Sequence, residues 1–198
     1  MKKISIGYYG NAYPEKRTII NAISSNKVQY VNVLDSIFPS IVEKAFSKIG
    51  VNFSNFHKRT NNIDLFHLFN KISYGNKPWV STFETIIPRF KQTLSCHHGI
   101  EPHYHNLVND SQILKSLDAL ANDNCKGLFA LSECNFNIQK YFLSFFHKDY
   151  YEPILGKLKA VHPKQQVFFE SFAEKELVIE EQLTFTIVGT AFFRKGGM

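Results

Sequence analysis

The sequence predicts an α/β fold built on a doubly wound parallel sheet. Short apolar runs of strand length alternate with longer segments of helical period, and alternation of that kind implies parallel pairing through crossover connections. Hydrophobic residues make up 44% of the 198, with 19 Phe and 9 Tyr, enough to fill a sizeable core.

The first run, Ile4-Ser5-Ile6-Gly7-Tyr8-Tyr9, ends at Gly10-Asn11. Pro14 suits the first position of a helix with Ile19, Ile20 and Ile23 on one face. Val28 to Val33 alternates like a strand, and Asp35 caps a helix whose apolar stripe runs from Ile37 to Ile49 and stops at Gly50. Asp64 to Phe69 (DLFHLF) and Trp79 to Phe83 (WVSTF) are the next strands. Asp110-Ser111 opens a helix carrying Ile113, Leu114, Leu117, Leu120 and Ala121. Gly127 to Leu131 reads as a strand, Ser132 as the cap of a helix containing Phe136, Tyr141, Phe142 and Phe145, and Leu158 to Pro163 as the last short strand of the series. The order is Rossmann-like.

Beyond that strand the composition turns charged, with Glu174, Lys175, Glu176, Glu180 and Glu181, before a fresh apolar strand, Leu183 to Val188. The expected organisation is a domain over residues 1–175, then a linker and the opening of a second domain over 176–198. The final decapeptide, Gly189 to Met198 (GTAFFRKGGM), places a glycine at the strand end and Lys195-Gly196-Gly197 after five further residues. Glycines admit backbone N–H groups close to an anion and a lysine supplies charge, so the segment reads as a phosphate loop cut short.

Net charge is +6 and the isoelectric point is near 9.1, which favours anionic partners. Basic residues are spread rather than clustered, so nucleic acid is not expected. Cys96, Cys125 and Cys134 form no paired motif, as in a reducing compartment. Met1-Lys2-Lys3 precedes an apolar run too short for a signal peptide, and no stretch reaches the roughly 18 apolar residues of a spanning helix. The expected location is cytoplasmic, with peripheral contact at the inner membrane face as a further option.

Ligands of open α/β sheets sit beyond the carboxyl ends of the strands, here residues 9–13, 70–74, 84–89 and 132–135. Glu84 ends its strand and opens a long connection to Asn109; connections of that length in compact domains are usually functional or disordered. That connection holds Cys96, His97, His98, His103 and His105. A zinc site, and with it a zinc-dependent hydrolase, is one reading; a mobile acceptor-binding lid is the preferred one. Arg89 suits an anionic acceptor or a plain ion pair. Gly10-Asn11 suits a ligand-facing loop or a simple turn. His67, within an apolar strand, reads first as structural, and Ser132 first as a cap. The Phe-rich, basic stretch from Phe136 to Lys148 reads as core on one side and solvated on the other, a membrane-docking face being the lesser reading.

Taken in order, several segments resemble one family. The strand, Gly189, five residues and Lys195-Gly196-Gly197 look like the opening of the donor-binding domain in GT-B glycosyltransferases, specifically the large retaining group (family-4-like, group 1) typified by bacterial polysaccharide and lipopolysaccharide enzymes. Asp64 to Asn70 is similar to the family's "D-hydrophobic-H" strand, Lys77 to Glu84 to the strand that follows, Ala130-Leu131-Ser132-Glu133 to its "alSe" segment, and Val161-His162-Pro163 to the close of its first domain. The resemblance implies an N-terminal, acceptor-side domain of an enzyme that moves a sugar from a nucleotide diphosphate sugar to a glycan or lipid-linked acceptor, with retention and with no metal or other cofactor. A C-terminal donor domain would complete the enzyme, and this chain alone would be inactive.

By the same resemblance Lys195 binds the donor diphosphate, helped by Gly189, Gly196 and Arg194. The family's Arg directly after the glycine is Thr190 here. Its acceptor-facing His at the end of the "sTfH" strand is Glu84 here, the implied catalytic position. Gly10, Asn11, Arg89, His67 and Ser132 complete the implied acceptor side. The rival from outside enzymology is a free-standing flavodoxin-like ligand-binding module.

Overall fold

A computed structural model describes residues 3–9, 27–33, 62–97 and 103–162. Contacts divide the chain into two units, Met1–Lys164 and Gln165–Met198, and every described residue falls in the first. The helices expected from Pro14 and Asp35, the acidic linker and the terminal strand and loop lie outside the described residues.

Six strands form one all-parallel sheet: β1 (Ile4–Tyr8), β2 (Val28–Asn32), β3 (Leu65–Phe69), β4 (Trp79–Phe83), β5 (Cys125–Ala130) and β6 (Leu158–Ala160). Their order is β2-β1-β3-β4-β5-β6, so the chain steps to one side of β1 and then builds outward on the other. This is the α/β, Rossmann-like doubly wound arrangement. Each predicted strand in this region exists. The largest shifts in bounds are at β6, expected at Leu158 to Pro163, which ends three residues earlier at Ala160, and at β5, expected at Gly127 to Leu131, which starts two residues earlier at Cys125.

Among the described residues four α-helices accompany the sheet: α1 (Lys91–His97), α2 (Ser111–Ala121), α3 (Glu133–Leu143) and α4 (Lys148–Leu155). Two helix starts expected from the sequence, at Asp110 and Ser132, are capped by those side chains. Asp110 accepts hydrogen bonds from the backbone N–H groups of Gln112 and Ile113, and Ser132 from that of Asn135. In α2, Ile113, Leu117 and Leu120 are fully buried along one stripe, each contributing about 1.5–3 kcal/mol of hydrophobic stabilisation.

Because side chains alternate across a strand, the two sheet faces carry different cores. One face sets Phe66, Leu68, Trp79, Phe83, Leu128 and Ala130 against apolar residues of α2, α3 and α4. The other groups Tyr8 and Phe69 with Tyr30 and Leu131. Gly7 is required by close approach, since a Cβ there would lie 2.8 Å from the Phe66 ring.

The β3–β4 crossover is unusually short. Parallel neighbours are normally joined by a dozen or more residues containing a helix, but Asn70 to Pro78 makes the journey as an extended strap. Polar contacts hold it down. Ser81 Oγ donates to the Lys71 carbonyl at 2.8 Å, Tyr74 Oη lies 2.8 Å from Ser116 Oγ, and Lys77 Nζ donates to the Ile63 carbonyl at 3.0 Å.

Candidate functional site

The carboxyl ends of β3 and β4 lie side by side, and the residue following each strand is polar. After β3 comes Asn70, whose φ of 54° places it in the left-handed region, where asparagine is among the few tolerated side chains. Its backbone N–H still bonds the Thr82 carbonyl at 2.9 Å, so the ladder continues to the strand end before the chain turns. That turn directs the carboxamide at Glu84, the residue after β4. Asn70 Oδ1 accepts from the Glu84 backbone N–H at 3.1 Å, and Asn70 Nδ2 donates to Glu84 Oε1 at 3.3 Å. Arg89 Nη1 donates to the same carboxylate oxygen at 2.7 Å. Both side chains of this ion pair remain partly open to solvent, 35% for Arg89 and 45% for Glu84.

Between Glu84 and Arg89 the loop turns inward. Ile86, Ile87 and Pro88 are buried, and the Ile87–Pro88 peptide is cis. Gln139 of α3 has no solvent exposure and meets Ile87 through two reciprocal bonds: its Oε1 accepts from the Ile87 N–H, and its Nε2 donates to the Ile87 carbonyl, each at 2.8 Å. A buried carboxamide satisfied on both ends stabilises its loop strongly, because either partner left alone would cost the desolvation of a buried polar group.

His67, one face over on β3, sits with its Nε2 2.7 Å from Thr82 Oγ1 and its ring 6.5 Å from that of Tyr30. Burial pushes its pKa down to about 4, so the imidazole is neutral at physiological pH. Its side chain thus has a partner within the sheet.

No family model, curated protein or solved structure matches the chain. Function must therefore be argued from the site itself.

The structure brings Glu84 and Arg89 together in an ion pair. Ser132 Oγ is engaged as the cap of α3. The motif residue Asp64 lies at the opposite, amino edge, where its carboxylate accepts the Ser5 N–H at 2.8 Å. Gly10, Asn11, Gly189, Arg194, Lys195 and Gly196 lie outside the described residues. Asn70 and Gln139 were not anticipated. A signal for Gln139 existed: it interrupts the apolar stripe of Phe136, Phe142 and Leu143, the place where a buried carboxamide must find partners.

Among the described residues of the His-rich connection, Lys91–His97 form α1, and Tyr104 and Leu107 belong to the core. His97 Nδ1 lies 3.1 Å from Tyr104 Oη, and the His105 ring packs edge-on to Phe145 with centroids 4.7 Å apart. Among the described residues no group of three or more His, Cys, Asp or Glu side chains is placed to hold a metal ion. The cysteines are free, and burial pushes the Cys125 thiol up to about 11. Among the described residues no helix is long and apolar enough to cross a membrane.

A polar cleft of 260 Å³ opens at the amino edge, between the Ser73–Asn76 part of the strap and the stripe of α2 bearing Lys115, Asp118 and Asn122. It lies at the opposite end of the sheet from Glu84, with Trp79 and Asn124, which begin or precede strands, on its walls.

Proposed function

We propose that this chain is the acceptor-side domain of a retaining glycosyltransferase, one that moves a sugar from a nucleotide diphosphate sugar to a glycan or lipid-linked acceptor in cell-surface polysaccharide synthesis. The observation that carries the reading is the position of Glu84. It stands at the carboxyl end of a parallel strand in a doubly wound sheet, where such folds bind ligands, braced by Asn70 and Arg89. That is the position at which the resembling family presents its acceptor-facing His. Three segments that carry the resemblance, Asp64 to Asn70, Lys77 to Glu84 and Ala130 to Glu133, coincide with β3, β4 and the β5–α3 junction, which supports the reading.

In this reading the domain holds and orients the acceptor, while Lys195, with Gly189, Arg194 and Gly196, would neutralise the departing diphosphate from the donor side. A donor domain is the missing partner. Nucleotide sugar is a substrate, and no resident cofactor is needed. The enzyme would work in the cytoplasm, at the inner face of the membrane when its acceptor is lipid-linked.

Saturation-transfer NMR on this chain, with a panel of oligosaccharides and of nucleotide sugars, tests the reading. Oligosaccharide contact that Glu84→Gln weakens is expected, together with little nucleotide-sugar contact. Tight nucleotide-sugar binding by this chain would refute the division of labour.

One observation favours a second reading. The order β2-β1-β3-β4-β5 is that of flavodoxin-like modules, whose ligand sits at the β1/β3 switch point. Binding of a flavin nucleotide in place of sugars, mapped to Tyr8 and Asn70, would decide for that module.

A further inference from the structure

The Glu84 site is asymmetric in a way that selects a ligand class. Glu84 Oε1 takes both side-chain donors, Arg89 Nη1 at 2.7 Å and Asn70 Nδ2 at 3.3 Å. Oε2 receives no bond among the described residues, and the side chain is 45% exposed. A carboxylate offers about four acceptor positions, so roughly half of this one's capacity faces outward. The Arg89 charge is balanced by the carboxylate, so the pair carries no net charge, while only one of the guanidinium's five N–H donors is spent on it. An approaching phosphate or carboxylate would meet the Glu84 carboxylate beside a guanidinium whose charge is already balanced.

We infer that the Glu84–Arg89 loop is a pre-set receptor for an uncharged hydroxyl of the acceptor, with Oε2 accepting its proton in a hydrogen bond and Asn70 as the positioning residue. The inference rests on the transferase reading and narrows it: the acceptor group at this point is a neutral sugar hydroxyl, and any anionic part of a lipid-linked acceptor lies elsewhere. Of the two expectations for Arg89, the ion pair is the one observed.

Two supports fix the receptor before a ligand arrives. Gln139 holds the loop's buried middle at Ile87, and Asn70 sets both the backbone and the carboxylate of Glu84. A carboxylate already held in one rotamer loses little conformational freedom on binding, which is the advantage of preorganisation. Asn70 is suited to this because its left-handed backbone turns the carboxamide back across the adjacent strand end.

The test uses the whole chain, with maltose, cellobiose and lactose as neutral probes and inorganic phosphate as the anionic one. Two-dimensional NMR follows the Glu84 and Arg89 backbone signals, and thermal melts follow the fold. At least one disaccharide is expected to shift those signals saturably, and excess phosphate to leave the titration unchanged. Glu84→Gln and Asn70→Asp should each weaken binding about fivefold to tenfold with the melting transition nearly intact. Asn70→Asp keeps an acceptor for the Glu84 N–H but sets a second carboxylate against Oε1, so affinity should fall where a purely structural asparagine would move only stability. Asn70→Gly, which relieves the left-handed backbone while deleting the carboxamide, should lose affinity too. Phosphate displacing the sugar, or wild-type affinity in Glu84→Gln and Asn70→Asp, would overturn the inference and leave the transferase reading standing. Failure of every disaccharide to bind would overturn both.

Discussion

At the amino edge of the sheet, Lys157 Nζ donates to the carbonyls of Leu120, Ala121 and Asn122 at 3.1, 2.6 and 2.7 Å, closing the end of α2. At the carboxyl edge, Glu84 gathers Asn70 and Arg89 on one oxygen and keeps the other open. Both edges carry a charged side chain with several polar partners, but they differ in what is left over. The ammonium has three protons and three carbonyl partners, so its hydrogen-bonding capacity is consumed in ending a helix whose last carbonyls would otherwise be orphans. The carboxylate retains capacity that nothing in the described residues uses. Polar residues that complete the backbone read as architecture, and those with capacity to spare read as a site.

The sharpest way to break this contrast is at Gln139, which supports the carboxyl edge from inside the core. Gln139→Leu should destabilise the fold by about 2–4 kcal/mol, measured by denaturant unfolding, because it strands the Ile87 N–H and C=O in a buried setting. Acid comes next. His67 has an ordinary pKa of 6.5 and a folded value pushed down to about 4 by burial. Between those values the unfolded chain takes up a proton that the folded one refuses, so stability falls as pH drops from 6.5 to about 4. The full effect is about 3 kcal/mol, and His67→Gln should flatten that limb of the pH–stability curve. At the amino edge, Lys157→Met should cost about 1–2 kcal/mol of stability and leave disaccharide titration at Glu84 unaltered. Glu84→Gln should show the reverse pattern, less than about 1 kcal/mol in unfolding with a clear loss of ligand, as befits an exposed ion pair.

The strands were legible because each is a compact apolar run bounded by turn residues, and WVSTF is β4 to the residue. The start of β5 was not, since Cys125-Lys126 before Gly127 resembles the tail of a turn. α1 escaped notice for a related reason: Lys91–His97 buries only Thr93, leaving no apolar period to detect. α4 carries Pro153 within its span and buries only Ile154, so its sequence argues against the helix that tertiary contacts sustain.

For the site, Glu84 and Arg89 were visible as charged residues at a strand end. Their mutual pairing was not visible, because five residues of separation fit no regular element. Asn70 was less accessible still. Its role depends on β3 and β4 being neighbours with their ends level, Phe69 opposite Thr82, and that register exists only in the assembled sheet.

The abbreviated β3–β4 strap also bears on how the molecule reaches its native state. Phe66 pairs with Trp79 only thirteen positions later, whereas Phe83 must wait for Ala130. Since the entropic cost of closing a loop rises with its length, the two shortest-linked strands should zip together first. The ligand-facing corner would then be shaped at the outset of folding, with the outer strands added to it as later growth.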